Sequence, residues 1–426
     1  MTRFLAYTAP ATGHLNPLVP GLLELRRRGH EVHVRTLASM VEPLRELGLD
    51  ASPVSAEVAG VEVTDYQATT DTDRLTRGQV DLVERGRHDG PDFEEAIAQV
   101  RPDALLVDAI TYGALTRAEA SGLPTALVSP SVVPVPGRGI PPYGLGLPPM
   151  RGPIGKVRDA VLWKVVERAF GRAMLPGLNA LRADAGLAPF RSPLDQYDAV
   201  DAVIVLAGEP IEYSRSDLPA HVHLVGAQPW DTEGEAPAYL EEPGDPWVLV
   251  TCSTDYQGDE DLARVAADAL ADEPVRVLMT LADAYDEAGV VERPGLHVER
   301  FVSHSAVLPH LDAVVCHGGM GIVGKAMAAG VPIVTVPFGR DQPEIAQRVV
   351  QSGAGVSVKA KKVTPERLRT AVRTARSMRE GAARAAARMA AHDAPAAFAD
   401  AALTLVSRNG SGSGAGDGAG HASTAR

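Results

Sequence analysis

The stretch CHGGMGIVGK, residues 316–325, spells G-x-G-x-x-G at Gly319, Gly321 and Gly324, the fingerprint of a dinucleotide-binding turn. It follows the apolar run AVVC and opens onto the helix-forming KAMAAG. A strand that turns through glycines into a helix leaves the first helical amides unpaired. Those amides and the helix dipole make an anion site, and the glycines let a diphosphate approach the backbone. Two readings stay open on these residues: a nicotinamide dinucleotide, or another phosphate held by a His-Gly-Gly turn. His317, ahead of the glycines, adds a donor aimed at a phosphate oxygen, which a dinucleotide fold does not ordinarily need. The next strand-like run, PIVTVPF, does not end on an acidic residue to hold a ribose; Asp341 follows only after Gly339 and Arg340. A dehydrogenase also more often opens with this motif than carries it past residue 300.

Around this stretch, short β-like runs alternate with longer helix-like ones. RFLAYT, EVHVRT, DALLVDA, TALVSPS and AVIVLAG come first; WVLVTCST, VRVLMTL, LHVERFV, AVVCHGG, PIVTVPF and GVSVKA follow after a break. Continuous apolar strands between amphipathic helices imply parallel sheets covered on both faces. The expected fold class is therefore α/β, with two doubly wound, Rossmann-like parallel-sheet domains. The break, DTEGEAPAYLEEPGDP at 231–246, is acidic and rich in Pro and Gly, as linkers are. Expected boundaries are a first domain over 1–228, a linker over 229–245 and a second domain over 246–380. Residues 365–407 are expected to be mostly helical, and 408–426 to be a disordered tail with almost nothing to bury.

The chain has 426 residues, 45% of them hydrophobic and 22% charged, with a formal net charge of −13. That balance argues against a polyanionic partner, so no nucleic acid is expected. Cys252 and Cys316 each end an apolar run without neighbours at metal spacing, which reads as buried thiols and no metal site. No run approaches the roughly 18–20 apolar residues of a membrane span, and the start does not resemble a signal peptide. The expectation is a cytoplasmic protein without integral membrane association.

Two further constellations carry chemistry. In TAPATGHLNPLVPGLLELRRRGH, residues 8–30, a strand ends near Thr8, a turn carries Gly13 and His14, and a helix is expected from about Pro17. His14 then sits at the carboxyl end of a strand, where open α/β sheets place their ligands. Its near-neutral pKa suits it to accept a proton, although a surface histidine in a turn fits equally. In RPDALLVDAITYG, residues 101–113, Asp108 ends another strand. It reads either as a helix cap or as a carboxylate that fixes the His14 tautomer and stabilises its imidazolium. The Pro- and Gly-rich SVVPVPGRGIPPYGLGLPPM, residues 131–150, cannot form regular structure. Its aliphatic side chains cover either their own core or an apolar ligand.

GHLNP with RRRGH, FVSHSAVLPHLDAVVCHGGMG and AAGVPIVTVPFGRDQ together give the chain a resemblance to family 1 glycosyltransferases of the GT-B fold. It is similar to the actinobacterial enzymes that attach sugars to polyketide and other antibiotic aglycones. The resemblance runs to about residue 405, and it implies two domains facing across a cleft and an inverting transfer. His14 matches the catalytic base and Asp108 its partner. His317 and the amides of Gly318, Gly319, Met320, Gly321 and Ile322 match the diphosphate site, which makes a metal unnecessary. Ser253 and Thr254 match the loop facing the phosphates from the other side. Phe301 falls where the family stacks an aromatic ring on the base, with Val302 and His304 at its edge. Asp341 and Gln342 match the pair that binds the sugar hydroxyls. A helix at about 381–407 matches the one crossing back to the first domain. No cofactor is implied beyond the nucleotide sugar as co-substrate, and the partners are that donor and a small hydrophobic acceptor. A homodimer is compatible with this reading.

Three departures stand out. Ser253 replaces a common Gly, Ser303 replaces the usual Pro of the base-binding turn, and Lys325 stands where many relatives have a ribose-binding Glu. A donor without the 2′-hydroxyl needs that Glu less, so a thymidine diphosphate sugar is expected. Alternatives on the same fold are a nucleotide-sugar epimerase and a non-catalytic donor-binding helper.

Overall fold

The computed structural model describes residues 1–410 other than 69, 255 and 256. Its first sheet is built from β1 (Arg3–Tyr7), β2 (Glu31–Thr36), β3 (Asp50–Pro53), β4 (Ala104–Asp108), β5 (Thr125–Ser129), β6 (Ala202–Val205) and β7 (Val222–Leu224). All neighbours pair in parallel, in the order β3-β2-β1-β4-β5-β6-β7. The second sheet holds β8 (Trp247–Thr251), β9 (Arg276–Thr280), β10 (Leu296–Glu299), β11 (Leu311–Cys316), β12 (Ile333–Thr335) and β13 (Gly355–Ser357), in the order β10-β9-β8-β11-β12-β13. In each sheet the order reverses beside its first strand. That reversal opens a crevice at the carboxyl ends of the strands on either side, between β1 and β4 and between β8 and β11.

The central strands are buried along their whole length, RFLAY apart from its first residue and ALLVD, TALVS and WVLVT throughout. Burial on both faces is why they read as unbroken apolar runs. The polar β3, DASP, and the three-residue β7 are edge strands, and neither carries such a run. One apolar cluster continues from Tyr7, Leu105 and Val205 through Ile211 and Leu240 to Trp247 and Val314, so the two sheets share buried surface.

The chain's return to the first domain begins later than expected. The helix Arg379–Ala390 stays on the second domain, where Gly381 lies against the backbone of Gly353. The helix Ala394–Gly410 makes the crossing and places Phe398, Ala402 and Leu405 in the first domain's core with Phe4, Leu22 and Ile204. The tail expected from residue 408 lies outside the described residues from 411 onward, while 408–410 continue this helix. Among the described residues no helix is long and apolar enough to cross a membrane.

Candidate active site

His14 lies on a one-turn helix, Thr12–Leu15, that starts earlier than the sequence pattern suggests and leads through a 3-10 turn into the helix Val19–Arg27. Asp108 is the last residue of β4, which pairs with β1 in the register Tyr7↔Val107. Residues 94 apart in sequence thus meet at adjacent strand ends, and His14 Nδ1 is 2.8 Å from Asp108 Oδ2. The amides of Ala9 and Ile110 also donate to this carboxylate, at 3.2 and 3.1 Å. The next helix, Tyr112–Ser121, has Thr111 at its N-cap position, so Asp108 is not its cap. The carboxylate is fully buried and the imidazole 27% exposed. An ionised carboxylate can only accept, which puts the imidazole proton on Nδ1 and leaves Nε2 as the basic nitrogen.

Two cavities meet at this histidine. The first, about 480 Å³, is walled mostly by the first domain, through Tyr112, Tyr143, Trp163, Phe170 and Met174 among others, and is closed on the second-domain side by Asp283, Arg340 and Asp341. The loop 131–150 forms part of its wall through Ser131, Val132, Pro134 and Tyr143. This loop is also tethered across the cleft, where Glu344 accepts from the Gly146 amide at 2.8 Å. The second cavity, about 210 Å³, runs between the domains past Ser253, Thr254, His317, Gly319, Met320 and Lys325. His14, Pro130, Ser131, Arg340 and Asp341 line both.

At the glycine turn, Gly318 has φ +93 and Gly319 caps the helix Met320–Ala328 in an extended conformation. The helix amides therefore face the second cavity, also lined by Gly321 and Ile322. His317 is buried at the cavity wall, and its Nδ1 has no hydrogen-bond partner among the described residues. Burial pushes this imidazole down to about 4, with the charge of Arg340 adding to the shift. Opposite, Asp259 accepts from the Ser253 amide at 2.7 Å, and burial raises its carboxyl to about 6.

The remaining donor candidates separate. Asp341 borders both cavities and accepts from the Ser131 hydroxyl. Gln342 also lines the cleft, but protein partners occupy its amide. Its oxygen accepts from the Phe338 and Gly339 amides, and its nitrogen donates to Gln257. His304 lines the cleft with Nε2 3.0 Å from Thr280 Oγ1. Burial and the neighbouring Lys325 push its imidazole down to about 3. Val302 is buried in the core, and Phe301 is 58% exposed; neither lines the second cavity. Lys325 is not free to meet a ligand alone, because its Nζ lies 3.0 Å from Asp231 Oδ2. That carboxylate also takes the amides of His304 and Ser305.

Asn16, Gln228 and Trp230 line the second cavity without having been singled out from sequence. Asn16 sits in GHLNP, two residues past His14, where a closer reading of the turn could have found it. Gln228 ends the first domain, Trp230 lies in the linker, and neither carries a periodic signal. Both side-chain polar atoms of Gln228 are buried and have no partner among the described residues. Among those residues there is also no cluster of His, Cys, Asp and Glu that could hold a metal ion.

Residues 266–405 match the family model described as Erythromycin biosynthesis protein CIII-like, C-terminal domain. Over 384 residues the chain is 31% identical to a 4′-demethylrebeccamycin synthase of Lentzea aerocolonigenes, a match covering 87% of this chain and 91% of that relative. The chain belongs to the antibiotic glycosyltransferases. Solved structures share the fold of this glycosyltransferase. The kitacinnamycin glycotransferase superimposes with a TM-score of 0.73 at 22% identity, covering 96% of this chain and 98% of its own. The glycosyltransferase VinC, solved in complex with DTDP, gives 0.66 at 21% identity over 96% and 100%. The fold is GT-B, and the protein is a transferase of sugars; the epimerase and the non-catalytic helper are set aside.

Proposed function

We propose that this glycosyltransferase moves a sugar from a thymidine diphosphate donor onto a hydroxyl of a hydrophobic aglycone, with inversion at the anomeric carbon. One observation carries the reading: His14, backed by Asp108, stands in the wall shared by an apolar cavity and a cleft lined by helix amides. The apolar cavity takes the aglycone and the cleft takes the donor. His14 Nε2 receives the proton of the acceptor hydroxyl as its oxygen attacks the anomeric carbon from the face opposite the diphosphate. Asp108 stabilises the imidazolium that forms. The amides of residues 318–322 and His317 take up the charge growing on the leaving diphosphate, which is the work a metal does elsewhere. Ser253 and Thr254 close on the phosphates from the other side, and Asp341 binds sugar hydroxyls. Gln342 supports the loop that carries Asp341. His304, in the cleft wall, meets the base; the base contacts assigned to Phe301 and Val302 rest on the resemblance alone.

The thymidine preference is supported by the ion pair between Lys325 and Asp231. The helix Met320–Ala328 carries no carboxylate of its own for a ribose diol, the one at hand, Asp231, is engaged by Lys325, and the structurally similar VinC was solved in complex with DTDP. The test pairs wild type with His14→Ala against matched thymidine and uridine donors and a panel of polyketide aglycones, read by mass spectrometry. His14→Ala is expected to bind thymidine diphosphate normally and to lose transfer by about 10² or more, the scale of general-base assistance. Unchanged turnover would remove His14 from the mechanism, and a uridine preference would overturn the donor assignment.

A further inference from the structure

Arg340 immediately precedes Asp341, and its backbone is left-handed, with φ +55. A non-glycine residue seldom adopts that region and persists there only where its surroundings hold it. Here the hold comes from the other domain. The guanidinium crosses the cleft to Asp65, Nε to Oδ2 at 3.0 Å and Nη2 to Oδ1 at 3.0 Å. This two-point geometry is the strong form of such a pair. The Asp65 side chain is 4% exposed, and Gly78 of the helix Asp71–Val100 leaves the room in which it sits. Asp65 opens a 3-10 turn whose neighbours Val61, Val63 and Tyr66 wall the apolar cavity.

Resting on the proposed acceptor and donor cavities, we infer that Asp65 and Arg340 are a positioning pair that sets Asp341 opposite His14 and couples the two substrates. One end of the pair belongs to the wall of the aglycone cavity, and the other to the loop that holds the sugar. Because the partners come from different domains, the pair exists only when the cleft is closed. An acceptor that favours the closed wall therefore favours the sugar-holding loop as well, and the effect runs equally in the other direction. The hydroxyl of Ser131, from the aglycone loop, adds a second tie to Asp341 itself.

The experiment uses the full chain as wild type, Asp65→Asn, Arg340→Leu and the double variant. Thymidine diphosphate affinity is measured by calorimetry, transfer kcat on an aglycone found by the screen above, and amide exchange across residues 338–342 by mass spectrometry. Asp65→Asn is expected to bind thymidine diphosphate within twofold of wild type, to lose about tenfold in kcat and to exchange faster at 338–342. In the Arg340→Leu background the same change adds less than twofold, as partners in one interaction do. Losses that multiply in the double variant, or unchanged kcat and exchange in Asp65→Asn, overturn the pair. A wild type that binds the nucleotide but transfers to no acceptor overturns the function instead. The exchange measurement then still decides the pair.

Discussion

Gly319 lacks a side chain because of the residue two positions before it. A Cβ built there would overlap Nε2 of His317, the ring buried against the cavity wall. The imidazole is neutral at any working pH, since burial holds it down to about 4. In the ligand-free protein the ring is therefore a neutral hydrogen-bonding group whose position is set by packing. Gly319→Ala is expected to push the ring off the helix N-terminus and weaken thymidine diphosphate binding about tenfold, the ~1.4 kcal/mol of a modest overpacking. Isothermal titration reads this directly, and unaltered affinity would place His317 outside the phosphate site. At this scale the sequence was informative wherever a residue's chemistry depends on its own turn. The His-Gly-Gly run and His14 were legible because a glycine-rich strand end has few other uses. For Phe301 only the resemblance places an aromatic ring at the base, and its exposure of 58% depends on packing that no local pattern encodes.

Among the elements, the last helix shows how a segment with weak local signals earns its place by packing. The helix Ala394–Gly410 lies against Val19–Arg27, and Gly21 is the opening into which Phe398 fits. Phe398 is fully buried among first-domain residues. Phe398→Ala is expected to cost about 3–5 kcal/mol, as the loss of a buried aromatic ring does. A thermal unfolding midpoint equal to that of wild type would show that the helix is dispensable to the first domain. The strand pattern was readable for central strands, whose two buried faces impose unbroken apolar runs. The first sheet's edge strands escaped, β3 because its composition is polar and β7 because it has only three residues. The second sheet's edges, β10 and β13, fall in apolar runs and were readable.

Across the whole molecule, the domains are joined by buried charge as well as by the shared apolar cluster. Arg348 of the second domain lies between Glu212 of the first, at 3.0 Å, and Glu344, at 2.8 Å, with Tyr213 packed under its guanidinium. All three charged side chains are 4% exposed or less. Removing the cation would leave two buried carboxylates uncompensated, so Arg348→Met is expected to destabilise the protein by about 3–5 kcal/mol. Urea unfolding measures this, and a midpoint unmoved by the substitution would mean that water reaches the carboxylates.

The sequence by itself determined the alternation of strand and helix, the two sheets, the glycine turn after β11, the place of His14 in the connection that follows β1 and that of Asp108 at the end of β4. Each of these follows from periodicity or from backbone requirements within a few residues. Only the tertiary structure decided which distant residues face each other: Asp65 with Arg340, Asp231 with Lys325, and Glu212 with Arg348. Such pairs lie 94 to 275 residues apart, and the 41 basic and 54 acidic residues allow thousands of oppositely charged combinations on paper. The sheet order and the closure of the cleft select among them, because a charge is worth burying only where the fold brings its partner within about 3 Å.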